Sequence, residues 1–409
     1  MTQGETISPI SKLGSLIRDR YAAAPLGALM KILVWQWGRH GAGPRFAACL
    51  ADSLRSDPGV SVILSLSRGA EILAGPDAPQ CEMPVRTYRG LISFLFRLLT
   101  APVALLPLMI RVWRLRPDIA ICAMPGPLDL LMAAALRLLG VRLLVVVHEA
   151  EVHPGDGYSF QMVLQRLLCR CADALVALSS HVGSKLRDQN IVGPNKRPLI
   201  SLTHPPFPFD LPAHARLAGP PRLLFFGRLL PYKGLDLLAA AINMLPPSIE
   251  ISVRVVGRGP ESDGLTALRA CPNVVIENRW AAETEVGAIL GWADALILPY
   301  REASQSGVAA AAIASGRPVI ATRVGGLQEQ LSGFPQTVLC EPDPVSLAWA
   351  ISHWLEAPPP VQQSIDATQA WRQTASSLLA ATRSVLSPLP PRRRWRRPVR
   401  WIAAPRHAP

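Results

Sequence analysis

The feature that most constrains this chain is the alternation of strand-length apolar runs with helical patterns, which starts at Met30. Runs such as Ile32–Gln36 and Leu143–Val147 are short and apolar, and the second is uncharged and rich in valine. Such runs are typical of strands that are buried on both faces of a parallel sheet. The alternation therefore predicts an α/β protein.

A proline-rich stretch at 203–221 interrupts this alternation, with six prolines in nineteen residues. Proline can continue neither a helix nor a central strand, and 409 residues exceed what one core usually organises. We therefore predict two facing Rossmann-like domains with parallel sheets and a cleft between them. The predicted segments are an N-terminal extension (1–29), an N-terminal domain (30–205), a linker (206–221), a C-terminal domain (222–388) and a basic tail (389–409).

The net charge of +13 and the pI of about 10.0 indicate an anionic partner. Seven arginines lie between positions 392 and 406, interleaved with Trp395 and Trp401. This pairing suits lipid headgroups, and no nucleic-acid-binding motif accompanies it. A solvated tail without a partner is the alternative.

One apolar run, Leu98–Ile110, raises the question of membrane contact. Arg97 and Arg111 flank it, and it lies within a predicted helical region at 91–114. The run is shorter than the roughly 17–25 residues that span a bilayer. A buried helix and a helix lying in the membrane interface both remain open, whereas a transmembrane span is least favoured. The seven scattered cysteines and the absence of a signal-like N-terminus favour a cytosolic protein with reduced thiols.

Ligands of open α/β sheets bind beyond the carboxyl ends of the strands, so residues after predicted strands are candidates. Gly41 and Gly43 lie in a turn after the first strand, where glycine lets a ligand approach the backbone. His148 follows Leu143–Val147 and could bond sugar hydroxyls. A plain tight turn and a structural histidine are the alternatives. The nearby Glu149, His153 and Asp156 lack metal-ligand spacing, so we predict no metal site.

Two cations, Arg228 and Lys233, follow the first strand of the second half, five residues apart. Cations at this spacing could clamp a diphosphate and stabilise charge on a leaving nucleoside diphosphate. We expect both to face solvent or ligand. Ser306 and Gly307 begin a predicted helix, whose free N–H groups could receive phosphate.

Four motifs in the second half occur in a fixed order: F-G-R-x-x-x-Y-K-G-L, V-x-G-x-G-P-E, A-D-A-x-I-L-P-Y and G-R-P-V-I-A-T-x-V-G-G. With them the chain resembles glycosyltransferase family 4 over about residues 30–360. The resemblance implies a GT-B fold, a UDP- or GDP-sugar donor in the C-terminal domain, retention of anomeric configuration and no required metal or other cofactor.

The resemblance also implies roles for individual residues. Arg228 and Lys233 would bind the diphosphate, and His148 would lie near the donor sugar. Gly41 and Gly43 would form the loop facing the transferred group. Arg279, within Asn278-Arg279-Trp280, would lie near the nucleobase.

The chain departs from the family at one place. Many members carry two glutamates spaced E-x7-E, where this chain has Ala303 and Ala311. A branch of the family has an A-[ST]-Q-S-G sequence instead, which 303–307 resembles. The donor-contact role would then fall to the group Ser304, Gln305, Ser306 and Gly307, the last through its N–H. This leaves open which group contacts the sugar, and whether the chain is fully active.

These observations predict a hexosyltransferase that acts on a lipid-linked (polyprenyl-diphosphate) or glycan acceptor in bacterial exopolysaccharide or cell-envelope glycan synthesis. The basic tail and the 91–114 region would hold it on the cytoplasmic face of an anionic membrane, with no nucleic acid as partner. A UDP-sugar epimerase of the same fold is one alternative, although it would need acidic catalytic residues that the sequence does not identify in the cleft. A catalytically inactive scaffold in a glycan-assembly complex is the other.

Overall fold

The computed structural model describes residues 29–75, 77–153, 159–208, 219–359 and 366–387. Within these residues the chain forms two six-stranded sheets, and every strand pairing in them is parallel. The predicted α/β class with two Rossmann-like units is confirmed. The predicted N-terminal extension and basic tail lie outside the described residues.

The first sheet has the strand order β2-β1-β3-β4-β5-β6. Its strands are β1 (Met30–Gln36), β2 (Val60–Leu66), β3 (Ile119–Cys122), β4 (Arg142–Val147), β5 (Ala174–Ala177) and β6 (Leu199–Ser201). Its helices are α1 (Ala42–Arg55), α2 (Leu91–Leu99), α3 (Ala101–Leu115), α4 (Asp129–Leu139), α5 (Ser159–Cys171) and α6 (Ser180–Asp188). The sequence pattern did not predict β6, which is only three residues long.

The second sheet has the order β12-β11-β10-β7-β8-β9. Its strands are β7 (Arg222–Phe226), β8 (Ser252–Gly257), β9 (Val274–Asn278), β10 (Ala295–Leu298), β11 (Val319–Thr322) and β12 (Thr337–Cys340). The helices that follow are α7 (Leu235–Met244), α8 (Asp263–Ala270), α9 (Val286–Trp292), α10 (Gly307–Ala314), α11 (Gly325–Leu331), α12 (Pro344–Glu356) and α13 (Ala367–Leu386).

Strand β4 shows why the alternation predicts the fold. Leu144 and Val146 pack into the core on one face of the first sheet, while Val145 and Val147 pack into the core on the other. Successive side chains of a strand point to opposite faces, so a strand with helices on both sides must be apolar at every position. Burying each such side chain is worth about 1.5–3 kcal/mol.

Helix α13 joins the end of the chain to the first domain. Its Trp371 packs edge-to-face on Phe46 of α1, with ring centroids 5.0 Å apart, and its indole N–H donates to the Pro206 carbonyl at 2.7 Å. Sequence position groups this helix with the second half, but its apolar face lies against the core of the first. Helix α13 therefore packs on the first domain although it follows the second in sequence.

The predicted helical region at 91–114 is two helices, α2 and α3, with their axes bent by 75°. Most of its large apolar side chains are exposed, including Ile92 at 86% and Leu99 at 81%. The buried-helix interpretation is therefore wrong for α2, whereas α3 packs Leu108 and Val112 into the core of the first domain. No single helix among the described residues is long and apolar enough to cross a membrane; α2 and α3 pass that test only together.

Candidate active site

A cavity of about 680 Å³ lies between the two sheets, at the ends of their strands. The loops after β1, β3 and β4 form one wall, and the loops after β7, β8, β9 and β10 form the other. Because all strands are parallel within a sheet, their carboxyl ends meet at one edge, where ligands of such sheets bind. The cavity is therefore the candidate active site.

The glycine turn after β1 lines the first wall. Gln36 accepts a hydrogen bond from the Gly38 N–H at 2.9 Å, and a Cβ at Gly43 would approach the Gln36 amide nitrogen to 2.7 Å. Gly41 has a positive φ of 81° and lies at the start of α1, where an added Cβ would be 3.8 Å from Trp280 on the opposite wall. Glycine keeps the turn close to whatever occupies the cavity.

His148 lies at the end of β4 and lines the cavity. Its Nε2 is 2.8 Å from the Ala123 carbonyl oxygen, so Nε2 carries the proton and donates. Its Nδ1 therefore accepts from the Gln305 side-chain amide, at 2.5 Å, across the two walls. Burial first, and then the nearby His204, lower the pKa of His148 to about 3. The ring is consequently a neutral imidazole at physiological pH.

The two predicted diphosphate ligands differ in environment. Arg228 is exposed and donates to the Tyr232 hydroxyl at 2.9 Å. Lys233 is 8% exposed, with its Nζ 3.5 Å from the centre of the Tyr300 ring. Cation–π packing on Tyr300 shields Lys233 from bulk solvent. Both side chains line the cavity, in agreement with the expectation that each faces solvent or ligand.

The turn that carries Lys233 depends on Gly234. Its φ is +68°, and a Cβ added there would lie 1.8 Å from the Pro299 carbonyl oxygen. The short 3-10 helix Pro231–Lys233 ends at this residue and α7 begins directly after it. Only glycine permits that conformation and that close backbone contact.

The loop at 303–307 lies at the start of α10. Gln305, Ser306 and Gly307 line the cavity, and so do the methyl groups of Ala303 and Ala311, where the family's glutamates would stand. The Ser306 hydroxyl caps α10 by accepting from the Ala309 N–H at 3.2 Å. No hydrogen-bond partner for the buried Gln305 Oε1 is found in the described part of the chain.

Ser304 does not belong to the cavity wall, in contrast to the sequence prediction. It is buried, and its hydroxyl lies 3.4 Å from Nε2 of His153, whose Nδ1 is 3.2 Å from Glu302. Its carbonyl accepts from the Ser179 hydroxyl at 3.1 Å. The side chain therefore connects the two domains rather than facing a ligand.

Arg279 lines the cavity, but two carboxylates hold its guanidinium. Glu277 and Glu285 accept from it at 3.1 and 3.0 Å. Its neighbour Trp280 donates its indole N–H to Glu71 of the opposite domain at 3.1 Å and packs edge-on against His40. Trp280 thus links the two walls at this end of the cavity.

Sequence reasoning missed several cavity residues. Arg258 follows directly after β8, so its position after a strand was a usable signal. Glu149 was considered from the sequence only as a metal ligand, but it lines the cavity. Tyr88, Asp129 and His204 lie in segments without any such pattern. Among the described residues, no three His, Cys, Asp or Glu side chains group together as a metal site.

Two family models cover most of the chain. The "Glycosyl transferase 4-like domain" matches residues 39–202, and "Glycosyl transferases group 1" matches residues 220–357. A glycogen synthase of Mycobacterium tuberculosis is 28% identical over 281 residues, which cover 63% of this chain and 67% of that protein. A D-inositol 3-phosphate glycosyltransferase of Segniliparus rotundus is 30% identical over 40% of this chain and 39% of its own.

Solved structures share the fold. A sucrose-phosphate synthase from Thermosynechococcus elongatus superposes with a TM-score of 0.62 at 17% identity, over 88% of this chain and 99% of that one. An Anabaena protein solved with UDP and glucose gives 0.60 at 16% identity, over 88% and 96%. A UDP-GlcNAc 2-epimerase from Neisseria meningitidis gives 0.54 at 10% identity, over 87% and 100%. The motifs, the two parallel sheets and the two family matches together show that this chain belongs to the group 1, family 4-like glycosyltransferases of GT-B fold.

Proposed function

We propose that this protein is a retaining glycosyltransferase that moves a hexose from a UDP- or GDP-sugar to a lipid-linked or glycan acceptor. The observation that carries the proposal is the placement of Arg228 and Lys233 on one wall of the cavity, opposite the neutral His148 on the other. The first pair suits the diphosphate of the donor, and the imidazole suits an uncharged sugar.

In the proposed transfer, the acceptor hydroxyl oxygen bonds to C1 of the sugar while the C1–O bond to the diphosphate breaks. The hydroxyl proton leaves with the released nucleoside diphosphate. Negative charge grows on the diphosphate oxygens, where Arg228 and Lys233 are fixed in advance. The N–H groups at the start of α10 and the Gln305 amide face the same space.

We propose that no divalent metal is needed, because the two cations supply the positive charge that a metal would supply. The test is activity after EDTA treatment, which we expect to be unchanged. Loss of turnover with EDTA and its recovery with Mg²⁺ or Mn²⁺ would contradict this.

We further propose that α2 and α3 lie on the cytoplasmic face of an anionic membrane. Residues 83–117 contain six arginines and no acidic residue. Phe94 of α2 also lies against the exposed Phe160 of α5, with ring centroids 6.4 Å apart. Phe94 of α2 packs on Tyr88, which lines the cavity, with ring centroids 5.0 Å apart. The apolar surface thus reaches the rim of the active site, as a membrane-bound acceptor requires.

Liposome sedimentation tests this surface. The variant with Ile92, Leu99 and Val103 all changed to serine should bind phosphatidylglycerol vesicles less than the parent, while a Val345→Ser/Trp349→Ser control on α12 should not differ. Removing the basic tail, 389–409, should weaken binding further at low salt, since each arginine near headgroups is worth about 1 kcal/mol. Equal binding by all forms would contradict both contacts.

The activity itself is tested with a panel of UDP- and GDP-sugars in the presence of membrane lipid extract. We expect release of nucleoside diphosphate and a labelled glycolipid with the donor's anomeric configuration by NMR. The cavity does contain carboxylates, Asp129 and Glu149, which the epimerase alternative needs. Conversion of a UDP-sugar to its epimer without acceptor would favour that alternative, and no turnover of any donor would favour the inactive scaffold.

A further inference from the structure

One histidine of the first domain lies against the turn that carries Arg228 and Lys233. His153, which follows β4, is 7% exposed, and its ring stacks on that of Tyr232 with centroids 4.7 Å apart and planes inclined by 19°. Tyr232 lies in the 3-10 helix Pro231–Lys233 of the second domain and is itself buried. The stack therefore crosses from one wall of the cavity to the other, next to the two cations.

Tyr232 in turn contacts both cations. Its hydroxyl accepts from the Arg228 guanidinium at 2.9 Å, and its ring centre is 4.9 Å from Lys233 Nζ. A phenol oxygen and an aromatic face both attract a cation, so they restrict where its charge lies. The Tyr232 carbonyl accepts from the Arg301 N–H at 2.8 Å, which fixes the turn against the loop after β10. The placement of the two cations thus depends on the position of the Tyr232 ring.

The second domain also fixes the His153 ring in its plane. Its Nδ1 is 3.2 Å from a carboxylate oxygen of Glu302, which can only accept, so Nδ1 carries a proton and donates. Its Nε2 lies 3.4 Å from the Ser304 hydroxyl, which can serve as donor or as acceptor. Contacts at both nitrogens hold the ring in the plane that stacks on Tyr232.

On the basis of the proposed function, we propose that His153 is a positioning residue for the diphosphate of the donor. Through Tyr232 it holds Arg228 and Lys233 in the arrangement that binds two linked phosphates. The first domain thereby contributes to diphosphate binding, and the two cations reach their full effect only while the domains are in contact. A nucleoside monophosphate lacks the second phosphate and depends less on this arrangement.

Calorimetry with UDP and UMP tests this proposal, because the ratio of the two affinities measures what the second phosphate contributes. GDP and GMP replace them if the parent binds GDP more tightly. We expect the parent to bind the diphosphate at least about tenfold more tightly, since each charge-assisted hydrogen bond to the second phosphate adds affinity. His153→Ala should lower that ratio about three- to tenfold, through weaker binding of the diphosphate alone.

Two further variants separate positioning from a general structural role. His153→Phe keeps an aromatic ring on Tyr232 and should retain most of the parent's ratio. The control is His353→Ala on α12, because His353 also stacks on an aromatic ring, that of Trp349 at 5.0 Å, but is exposed and does not line the cavity. This control should leave the ratio unchanged.

Tyr232→Phe tests whether the effect passes through Tyr232. It keeps the stack but removes the hydroxyl that accepts from Arg228, so it should lower the ratio by itself. Adding His153→Ala should then lower the ratio by less than the product of the two separate effects, as residues that act through one contact are not additive. If His153→Ala does not fold, the pair Tyr232→Phe and His153→Phe still decides, since only the first should lower the ratio.

Three results would overturn the proposal. They are an unchanged ratio in His153→Ala, an equal fall in its affinities for the diphosphate and the monophosphate, or effects of the His153 and Tyr232 variants that simply multiply. In the pair without His153→Ala, a parent-like ratio in Tyr232→Phe has the same meaning. A parent that binds UDP and GDP no better than their monophosphates would instead contradict the diphosphate site, and with it the proposed function.

Discussion

The two walls of the cavity are built in different ways. On the C-terminal side, a Cβ at Gly257 would lie 1.6 Å from the Gly227 carbonyl oxygen, and one at Gly259 would lie 2.0 Å from that of Leu229. On the N-terminal side, Gly38 and Gly43 face the flexible end of the Gln36 side chain. Loops packed backbone to backbone tolerate only one residue type, whereas loops packed on side chains can change.

This difference explains why the motifs describe one wall of the cavity better than the other. The V-x-G-x-G-P-E and F-G-R motifs meet at the Gly227–Gly257 contact, so the C-terminal wall is constrained in sequence. The N-terminal wall is lined by side chains such as Asp129 and Glu149, which no such motif contains. The motifs therefore identify the family, while the lining of the N-terminal wall has to be read from the structure.

The sharpest test of this comparison substitutes one glycine from each wall. Gly257→Ala should lower the free energy of unfolding by about 3–5 kcal/mol, because it adds backbone strain at φ +158° to a backbone overlap. Gly43→Ala should change it by less than about 1 kcal/mol, since Gln36 can move and alanine favours the helix. Urea unfolding measures both. Equal losses would mean that the two walls are built alike.

The next effect concerns the charge on the C-terminal wall, which the proposed function assigns to the diphosphate of the donor. Arg228→Ala should reduce kcat/KM about 10²–10³-fold, because a fixed donor to the developing diphosphate charge is lost. The control is Arg323→Ala, whose side chain is 45% exposed in a surface pair with Glu341. Transfer kinetics with the preferred donor measure this effect. Near-normal turnover of the Arg228 variant would contradict the assignment of Arg228 to the diphosphate.

A smaller effect concerns the pH dependence of stability, through the buried His204 of the cavity wall. Burial lowers the pKa of His204 to about 4, so below about pH 6.5 the unfolded chain binds a proton there that the folded protein does not. Stability is thus lost as the pH falls from about 6.5 towards 4, by up to about 1.4 kcal/mol per unit for this histidine. His204→Phe keeps the contacts with Phe46 and Phe207. It should reduce the slope of unfolding free energy against pH by up to about 1.4 kcal/mol per unit.

Measuring the difference between the two proteins cancels groups that do not interact with His204, including Asp129, whose raised pKa acts in the opposite direction over the same range. His148 does interact with His204, but its pKa of about 3 lies below the range measured. Parallel profiles for parent and variant, from urea midpoints between pH 4.5 and 7, would show that His204 does not titrate as its burial predicts.

The smallest effect concerns the contact between the walls. Glu71→Ala removes the acceptor for the Trp280 indole and the partner of His40 at the cleft rim. Because these groups are partly exposed, the loss of donor-binding free energy should be under about 1 kcal/mol. We expect it as a roughly two- to fivefold higher donor KM with kcat nearly unchanged. Glu71→Gln keeps an acceptor for the Trp280 indole N–H, so its donor KM should stay close to that of the parent. A KM unaffected by Glu71→Ala would show that the walls approach without this contact.

The sequence by itself determined the two parallel sheets and the C-terminal wall of the cavity. Strand alternation and glycine motifs are local patterns, and each reports a local requirement: burial on both faces of a strand, or a backbone with no room for a Cβ. From these patterns Gly41, Gly43, His148, Arg228 and Lys233 could be predicted to lie around one cleft, and the family resemblance added Gln305. The structure places all six on the cavity wall.

Only the tertiary structure decided the exposure of α2 and α3, the packing of α13 on the first domain and the burial of Lys233 under Tyr300. It also decided that Ser304 lies outside the cavity and that Asp129 lies in its wall. Apolar periodicity looks the same on a buried and an uncovered helix, and charge in a cavity is summed over residues far apart in the chain. Such properties depend on which segments meet, and the meeting of distant segments is what local sequence does not contain.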